Sequence, residues 1–175
     1  MIERRHFVTG NFRSHAVFLP EKEYATVLDN VVIACVDCVV INRNGEMLLG
    51  KRIIEPWPDW WIVGGRMRPG ESFEEAAARN LKRELNLAVD PARFKYFDTL
   101  SLVFARRAQP PQENGAHAIS ITMTLYISDE EKEMISPNEE YEKIQWLGPE
   151  SIFIDSRFHP AIRRYAALLL KTRRG

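Results

Sequence analysis

The stretch whose residue types and spacing could do chemistry is Gly64 to Leu87, GGRMRPGESFEEAAARNLKRELNL. It reads as the end of a strand, a glycine-rich loop, a carboxylate at Glu71, and then a helix carrying Arg79 and Glu84. Glycines let backbone groups approach a ligand closely and turn sharply. A carboxylate just ahead of a helix also suits the positive end of the helix dipole. Arg79 and Glu84 are five residues apart, about 500° of helical rotation. They are therefore not stacked neighbours: the arginine can brace the loop while the glutamate faces a cation.

Other candidates lie outside this stretch. Arg52 follows LLGK, and Arg66 follows the glycine pair. Both could be surface charges, but guanidinium suits two-pronged phosphate contact, and both lie close to the glycine-rich segment. Asp37 interrupts a strand that is otherwise apolar. Asn138-Glu139-Glu140-Tyr141-Glu142 forms an acidic run just before IQWL. Trp57, Trp60 and Trp61 could stack on a base or pack in the core, and His117 heads a later strand. Cys35 and Cys38 form a C-x-x-C, but they sit in VVIACVDCVVI, a β-branched run. Residues three apart on a strand face opposite sides, so the thiols are expected as separate small hydrophobes rather than a redox or metal pair.

The elements that must position these residues follow from pattern. Glu21 to Leu28 suits a short helix and Val31 to Ile41 a strand; Asn42-Arg43-Asn44-Gly45 favours a tight hairpin into a strand from Glu46 to Lys51. A short strand over Trp60 to Val63 runs into the glycines. Ser72 and Glu75 form a capping box that opens a helix from Phe73 to about Leu85, with Ala76, Ala77, Leu81 and Leu85 as its buried stripe. That box makes Glu74 and Glu75 first-turn and capping residues. Strands are expected over Phe94 to Phe104, His117 to Ile127 and Ile144 to Leu147, with RRAQPPQENG an exposed loop between the first two. Asp129 to Glu133 reads as a solvated loop or helix start. Pro160 opens a final helix with Ile162, Tyr165, Ala166 and Leu169 at i, i+3, i+4 and i+7. The pattern is an α/β or α+β sandwich with a mixed sheet.

Composition bounds the function. The chain has 175 residues, 24 Lys+Arg against 24 Asp+Glu, and 45% hydrophobic residues. That suits one folded domain over residues 1–175, with residues 1–20 an N-terminal arm. Zero net charge gives no global attraction to nucleic acid or anionic lipid. The basic cluster Arg163, Arg164, Lys171, Arg173 and Arg174 is expected as a solvated helix face and tail. No apolar run approaches the ~20 residues needed to span a bilayer. The first ten residues, MIERRHFVTG, lack the apolar core of a secretion signal, so a cytoplasmic protein is expected.

The central stretch resembles the Nudix box, G-x5-E-x7-R-E-U-x-E-E-x-G-U with U apolar. Gly65, Glu71, Arg79, Leu81, Glu84 and Leu87 match at the required spacing, whereas Asn80, Arg83 and Asn86 depart from it. The resemblance implies a Nudix α/β/α sandwich and a hydrolase. The helix face that ordinarily carries three glutamates keeps Glu84 alone, with Arg83 beside it. One Mg²⁺, or Mn²⁺, is therefore expected rather than a cluster.

Loss of two box glutamates with the last retained is similar to the GDP-mannose mannosyl hydrolase branch. So are EKEYATVL, Asp37, LLGKR, Pro56 and WWIVGGR, over roughly residues 17–150. That resemblance implies a GDP-mannose-like nucleotide sugar as substrate, with water attacking sugar C1 and a nucleoside diphosphate leaving. The Gly64 carbonyl and Glu84 would bind the metal, Arg52 and Arg66 the diphosphate, and Asp37 the sugar or nucleotide. Gly65, Glu71 and Arg79 would form the box framework. Glu140 falls where the branch has a metal-binding Gln, and Tyr141 where it has a basic His. A phenol with a pKa near ~10 is a poor base at neutral pH, so Glu139, Glu140 or Glu142 could serve instead. Attack at phosphorus of nucleoside di- or triphosphates is the second reading, and a non-catalytic nucleotide-binding domain the third. The branch resemblance also implies a homodimer.

Overall fold

The computed structural model describes residues 6–172. Residues 6–20 are irregular and mostly exposed, and helix α1 (Glu21–Asn30) follows. The strands are β1 (Ile33–Ile41), β2 (Met47–Arg52), β3 (Trp60–Trp61), β4 (Val63–Arg66), β5 (Lys95–Phe104), β6 (Ala116–Tyr126) and β7 (Tyr141–Leu147). Between them lie α2 (Phe73–Leu85) and α3 (Asp129–Glu133), and α4 (Pro149–Ile154) and α5 (Pro160–Thr172) close the described chain. Arg173 and Arg174 of the basic tail lie outside the described residues. Among the described residues no helix is long and apolar enough to cross a membrane.

The seven strands form one mixed sheet ordered β3-β2-β1-β6-β5, with β4 also on β1 and β7 on β2. β1 and β6 run parallel from Ile33↔Ala118 to Ile41↔Tyr126. β1 changes its other neighbour midway, meeting β4 over Cys35–Cys38 and β2 only at Ile41. Strand periodicity of two then divides the core. Val36, Cys38 and Val40 pack with Ala76, Ala77, Leu81 and Leu85 of α2. Val39 and Ile41 pack with Ile162, Tyr165, Ala166 and Leu169 of α5. Helices thus cover both faces of the sheet, an α/β/α sandwich. The two cysteines fall on opposite faces, Cys38 in the first cluster and Cys35 half-buried, as the strand period requires.

Several expectations change in detail. Gly64 and Gly65 belong to β4 rather than to a loop, because both pair with β1. Tyr141 already pairs with Arg52, so β7 begins before Ile144. The Asn42–Gly45 turn is not a tight two-residue hairpin: Ile41 pairs with Met47, and the Asn42 side chain binds both the backbone and the carboxylate of Glu46. The acidic run at Asp129 is a capped helix, and α4, which carries no long periodic stripe, escapes the sequence pattern.

The capping box of α2 forms as read, Ser72 Oγ accepting from the Glu75 amide at 3.2 Å and Glu75 returning to the Ser72 amide at 2.8 Å. Asn86, which stands where the box has glycine, takes a left-handed backbone (φ 54°) that closes the same helix; Asn tolerates this conformation better than most residues.

The polar side chains of β6 are buried rather than solvated. Thr122 donates to the Tyr165 hydroxyl of α5 at 2.8 Å, with both residues inaccessible to solvent. Tyr165→Phe leaves the Thr122 hydroxyl unpaired and is expected to cost about 1–3 kcal/mol. The urea midpoint should fall with the slope unchanged, and an unchanged midpoint would refute this account of the second core.

Candidate active site

The site is built where α2, β4 and the start of β7 meet. Glu84 faces inward from the last turn of α2 and is fully buried. Its Oε2 accepts from the Gly64 amide at 3.3 Å and from the Tyr141 hydroxyl, and its Oε1 from the Arg83 guanidinium. Burial pushes the Glu84 pKa up, against the pull of Tyr141 and Arg83. Burial and the Glu84 carboxylate together drive the Tyr141 phenol well above its ordinary value. Tyr141 is therefore a proton donor fixed on Glu84, in keeping with its being a poor base.

Neighbouring box residues hold this arrangement in place. Glu71 accepts from Arg79 Nη2 at 2.7 Å and from the Arg68 amide at 2.8 Å. Burial opposes the charged form of Glu71, but these bonds outweigh it and its pKa is lowered. Arg79 also donates to the Arg66 carbonyl at 3.0 Å, so it braces the segment between β4 and α2. Asn80 is a substituted glutamate position whose amide nitrogen reaches the Val36 carbonyl at 3.1 Å and the Gly65 carbonyl at 3.0 Å. It ties α2 to the sheet and presents no carboxylate.

Asp37 lies across β4 from this cluster, paired with Gly64 in register. A Cβ on Gly64 would fall 2.0 Å from Asp37 Oδ1, so only glycine admits the two strands here. On Gly65 a Cβ would meet the Arg83 guanidinium at 2.9 Å. Ser120 Oγ donates to Asp37 Oδ2 at 2.6 Å. Burial nonetheless raises the Asp37 pKa from 3.8 to about 6, helped by the nearby Glu84 charge and opposed by Ser120 and Arg52.

These groups line or adjoin a cavity of about 410 Å³, within the range of small-molecule sites. Arg52, Arg66, Arg83, Asp37, Gly64 and Glu140 all border it. Arg52 Nη2 donates to Glu140 Oε2 at 3.2 Å, and its buried Nε has no partner among the described residues. The Arg66 guanidinium stands over the Tyr24 ring, 4.7 Å from its centre. Glu139 is exposed and does not line the cavity, and Glu142 pairs with Lys51 at 3.0 Å outside it. Of the three glutamates in the acidic run, Glu140 alone borders the cavity.

His117 borders the cavity with its Nε2 on Ser101 Oγ at 2.8 Å. Trp61 also borders it, whereas Trp57 and Trp60 pack against the second core cluster. Cys35 lines the cavity too, with its thiol pushed up to about 12 by burial. It is a non-nucleophilic wall residue rather than pure core.

Two cavity arginines have roles the sequence did not assign. Arg83 donates to the Gly64 carbonyl at 3.2 Å as well as to Glu84, and so bridges the two groups expected to hold a metal. Its placement was foreshadowed by its position beside Glu84 in the helix. Arg107, in the loop expected to be exposed, is only 2% exposed and also lines the cavity. Its burial comes from Asp29, 78 residues away, and no local pattern announces that.

The fit to a divalent cation can be judged from these donors. Gly64, Glu84 and Glu140 offer hard oxygen ligands of the kind Mg²⁺ takes. Among the described residues, however, no three His, Cys, Asp or Glu are grouped to hold a metal. These donors would hold at most one ion, and only if it displaced the Arg83 guanidinium from Glu84 and the Gly64 carbonyl.

Comparison with known proteins agrees with this architecture. A model of the NUDIX domain matches residues 33–169. An RNA pyrophosphohydrolase of Cereibacter sphaeroides is 38% identical over 60 residues, 34% of this chain. The match spans only 37% of that relative's length. The nucleoside triphosphatase NudI of Enterobacter sp. (strain 638) is 28% identical over 123 residues, 66% of this chain and 82% of its own. The crystal structure of a MutT protein from Methanosarcina mazei Go1 superposes with a TM-score of 0.63, covering 82% of this chain and 96% of that one. At 18% identity, that likeness is one of fold.

Two outcomes are expected from the site's electrostatics. Asp37 binds its proton more tightly folded (about 6) than at its ordinary value of 3.8. Its contribution to stability is therefore complete below about pH 4 and lost as pH rises through 6. Asp37→Asn should exceed the parent in stability at pH 7 by about 1–3 kcal/mol, with the gap closing at pH 4. Parallel urea midpoints across that range would refute the burial of a charge here. Arg83→Ala, in turn, frees Glu84 and the Gly64 carbonyl and removes a competing cation. Calorimetric affinity for Mn²⁺ should rise about tenfold or more, and an unchanged affinity would show that guanidinium and ion do not compete.

Proposed function

The chain belongs to the Nudix family, and we propose that it hydrolyses a nucleoside-diphosphate sugar, GDP-mannose or a related hexose derivative, releasing nucleoside diphosphate and free sugar. The observation that carries this reading is the wall formed by Arg52, Arg66 and Arg83, where Arg52 holds a buried nitrogen with no partner among the described residues. An orphaned, buried guanidinium N–H costs stability unless a ligand acceptor meets it, and a diphosphate supplies such oxygens in two-pronged geometry.

In this reading Arg52 and Arg66 orient the diphosphate and balance the charge that develops on it as the C1–O bond breaks. Glu140, the carboxylate of the acidic run that borders the cavity, takes the proton of the attacking water once Arg52 turns from it to the phosphate. Attack on an anomeric carbon with an oxocarbenium-like transition state calls for one carboxylate base opposite a stabilised leaving group. That demand is modest enough for a site with few carboxylates. A divalent ion held by the Gly64 carbonyl and Glu84 would add charge neutralisation of the leaving diphosphate. Asp37, protonated up to about pH 6, can donate to a sugar or nucleotide oxygen below that pH.

A second reading places attack at phosphorus. It is favoured by the relatives' names, an RNA pyrophosphohydrolase and a nucleoside triphosphatase. The two chemistries part in the fate of solvent oxygen. Turnover of GDP-mannose and UDP- and ADP-hexoses in H₂¹⁸O is expected to label the free sugar and leave the nucleoside diphosphate unlabelled. Label in nucleoside monophosphate or sugar phosphate would establish the second reading and remove the first.

A further inference from the structure

Arg107 presents a second unexplained guanidinium, on a different part of the same cavity. It lies in the connection from β5 to β6 and is 2% exposed. Its Nε donates to the Gln109 carbonyl at 3.0 Å, and its Nη1 to Asp29 Oδ1 at 2.7 Å and to the Gly115 carbonyl at 3.2 Å. Asn114 donates to the same Asp29 oxygen at 3.0 Å, closing the loop onto α1. Only Nη2 is left over, buried and without a partner among the described residues. Buried donors in folded proteins are almost always satisfied, so a spare one on a side chain that lines a cavity points to an acceptor that arrives with a ligand.

The register locates this nitrogen relative to the chemistry. Arg66 of β4 pairs with Cys35, which lies opposite Ser120 of β6, and Ala116, where β6 begins beside Gly115, is four residues before Ser120. At ~3.3 Å per residue that is roughly 13 Å along the strand. Between them the cavity is lined by Ile33, Leu102, Phe104 and Ala118, with His117 beside them. A ligand reaching from the Arg52–Arg66 wall to Arg107 is therefore elongated, with an apolar-faced middle and a hydrogen-bond acceptor at its far end. The acceptor is neutral, because Asp29 already balances the Arg107 charge and a second anion would find no uncompensated cation there.

We infer that Arg107 reads the acceptor edge, a carbonyl oxygen or ring nitrogen, of the ligand's nucleobase and so sets which nucleotides enter the site. This rests on the proposed reading of the ligand as a nucleoside-diphosphate derivative. Arg107→Lys keeps the ion pair with Asp29 while removing Nη2. Asp29→Asn loosens the same loop while keeping every Arg107 nitrogen.

The test is calorimetric binding of α,β-methylene GDP, its UDP counterpart and methylenediphosphonate, none of which the enzyme can cleave at the bridge. In Arg107→Lys, affinity for the better-binding nucleotide should fall about tenfold or more, while methylenediphosphonate stays within about twofold of the parent. Asp29→Asn should retain nucleotide affinity within the same margin. Equal loss for both ligands would assign Arg107 to the diphosphate and overturn the inference, as would no loss for either. Loss in Asp29→Asn as large as in Arg107→Lys would reduce the effect to loop structure. If the parent binds none of the three probes, the nucleotide reading itself has failed and takes this inference with it.

Discussion

The buried carboxylate of Glu84 is the constraint on which the rest of the site depends. A carboxylate with no solvent contact is tolerable only when its oxygens are matched by donors. Here the donors come from three elements: the Gly64 amide of β4, the Tyr141 hydroxyl of β7 and the Arg83 guanidinium of α2 itself. Satisfying one charge therefore fixes the distance between helix and sheet and the point at which β7 starts. Beside it, β4 must be glycine at Gly64, where a Cβ would run into Asp37, and Gly65 leaves room for the Arg83 guanidinium.

The box departures become intelligible as a set around this carboxylate. With glutamates at all three helix positions, the inward face would carry like charges that only bound cations could offset. Asn80 removes one charge and uses its amide to satisfy two sheet carbonyls. Arg83 removes another and supplies a cation in its place. Asn86 keeps the left-handed cap that glycine ordinarily provides, aided by Lys82, which reaches its carbonyl and side chain. The helix thus keeps its geometry and changes its electrostatics, from a metal-demanding face to one balanced by its own residues.

What could be read from the sequence was whatever local chemistry decides. The Ser72–Glu75 capping box placed the start of α2 to the residue, the apolar stripe of α5 named its buried face, and strand periodicity separated the two cysteines. Residues whose roles are set by distant partners were not legible. Arg107 sits in a segment of polar and proline residues that looks solvated, and it is buried because Asp29, on a helix near the other end of the domain, neutralises it. Gly64 and Gly65 read as loop because the strand pairing that claims them comes from β1. Tyr141 was legible as a poor base, but its role as a donor to a carboxylate 57 residues away was not.

Guanidinium and divalent metal are not equivalent answers to the same need. A metal ion draws several oxygens to one point and polarises them strongly, which suits activation of water for attack on a phosphoryl group already crowded with negative charge. Guanidinium spreads one charge over a planar fork, binds phosphate oxygens in two-pronged fashion and leaves the electrophile's reactivity largely intrinsic. On the reading proposed above, a site that trades helix carboxylates for Asn80 and Arg83, while lining its cavity with Arg52 and Arg66, would be organised more for holding a diphosphate as a departing group than for forcing a nucleophile onto it. That balance, rather than the family fold, is the physical argument for displacement at carbon. On that reading the same cavity would have to distinguish one diphosphate ester from another, and among its described residues Arg107 has the burial and the spare donor to do so.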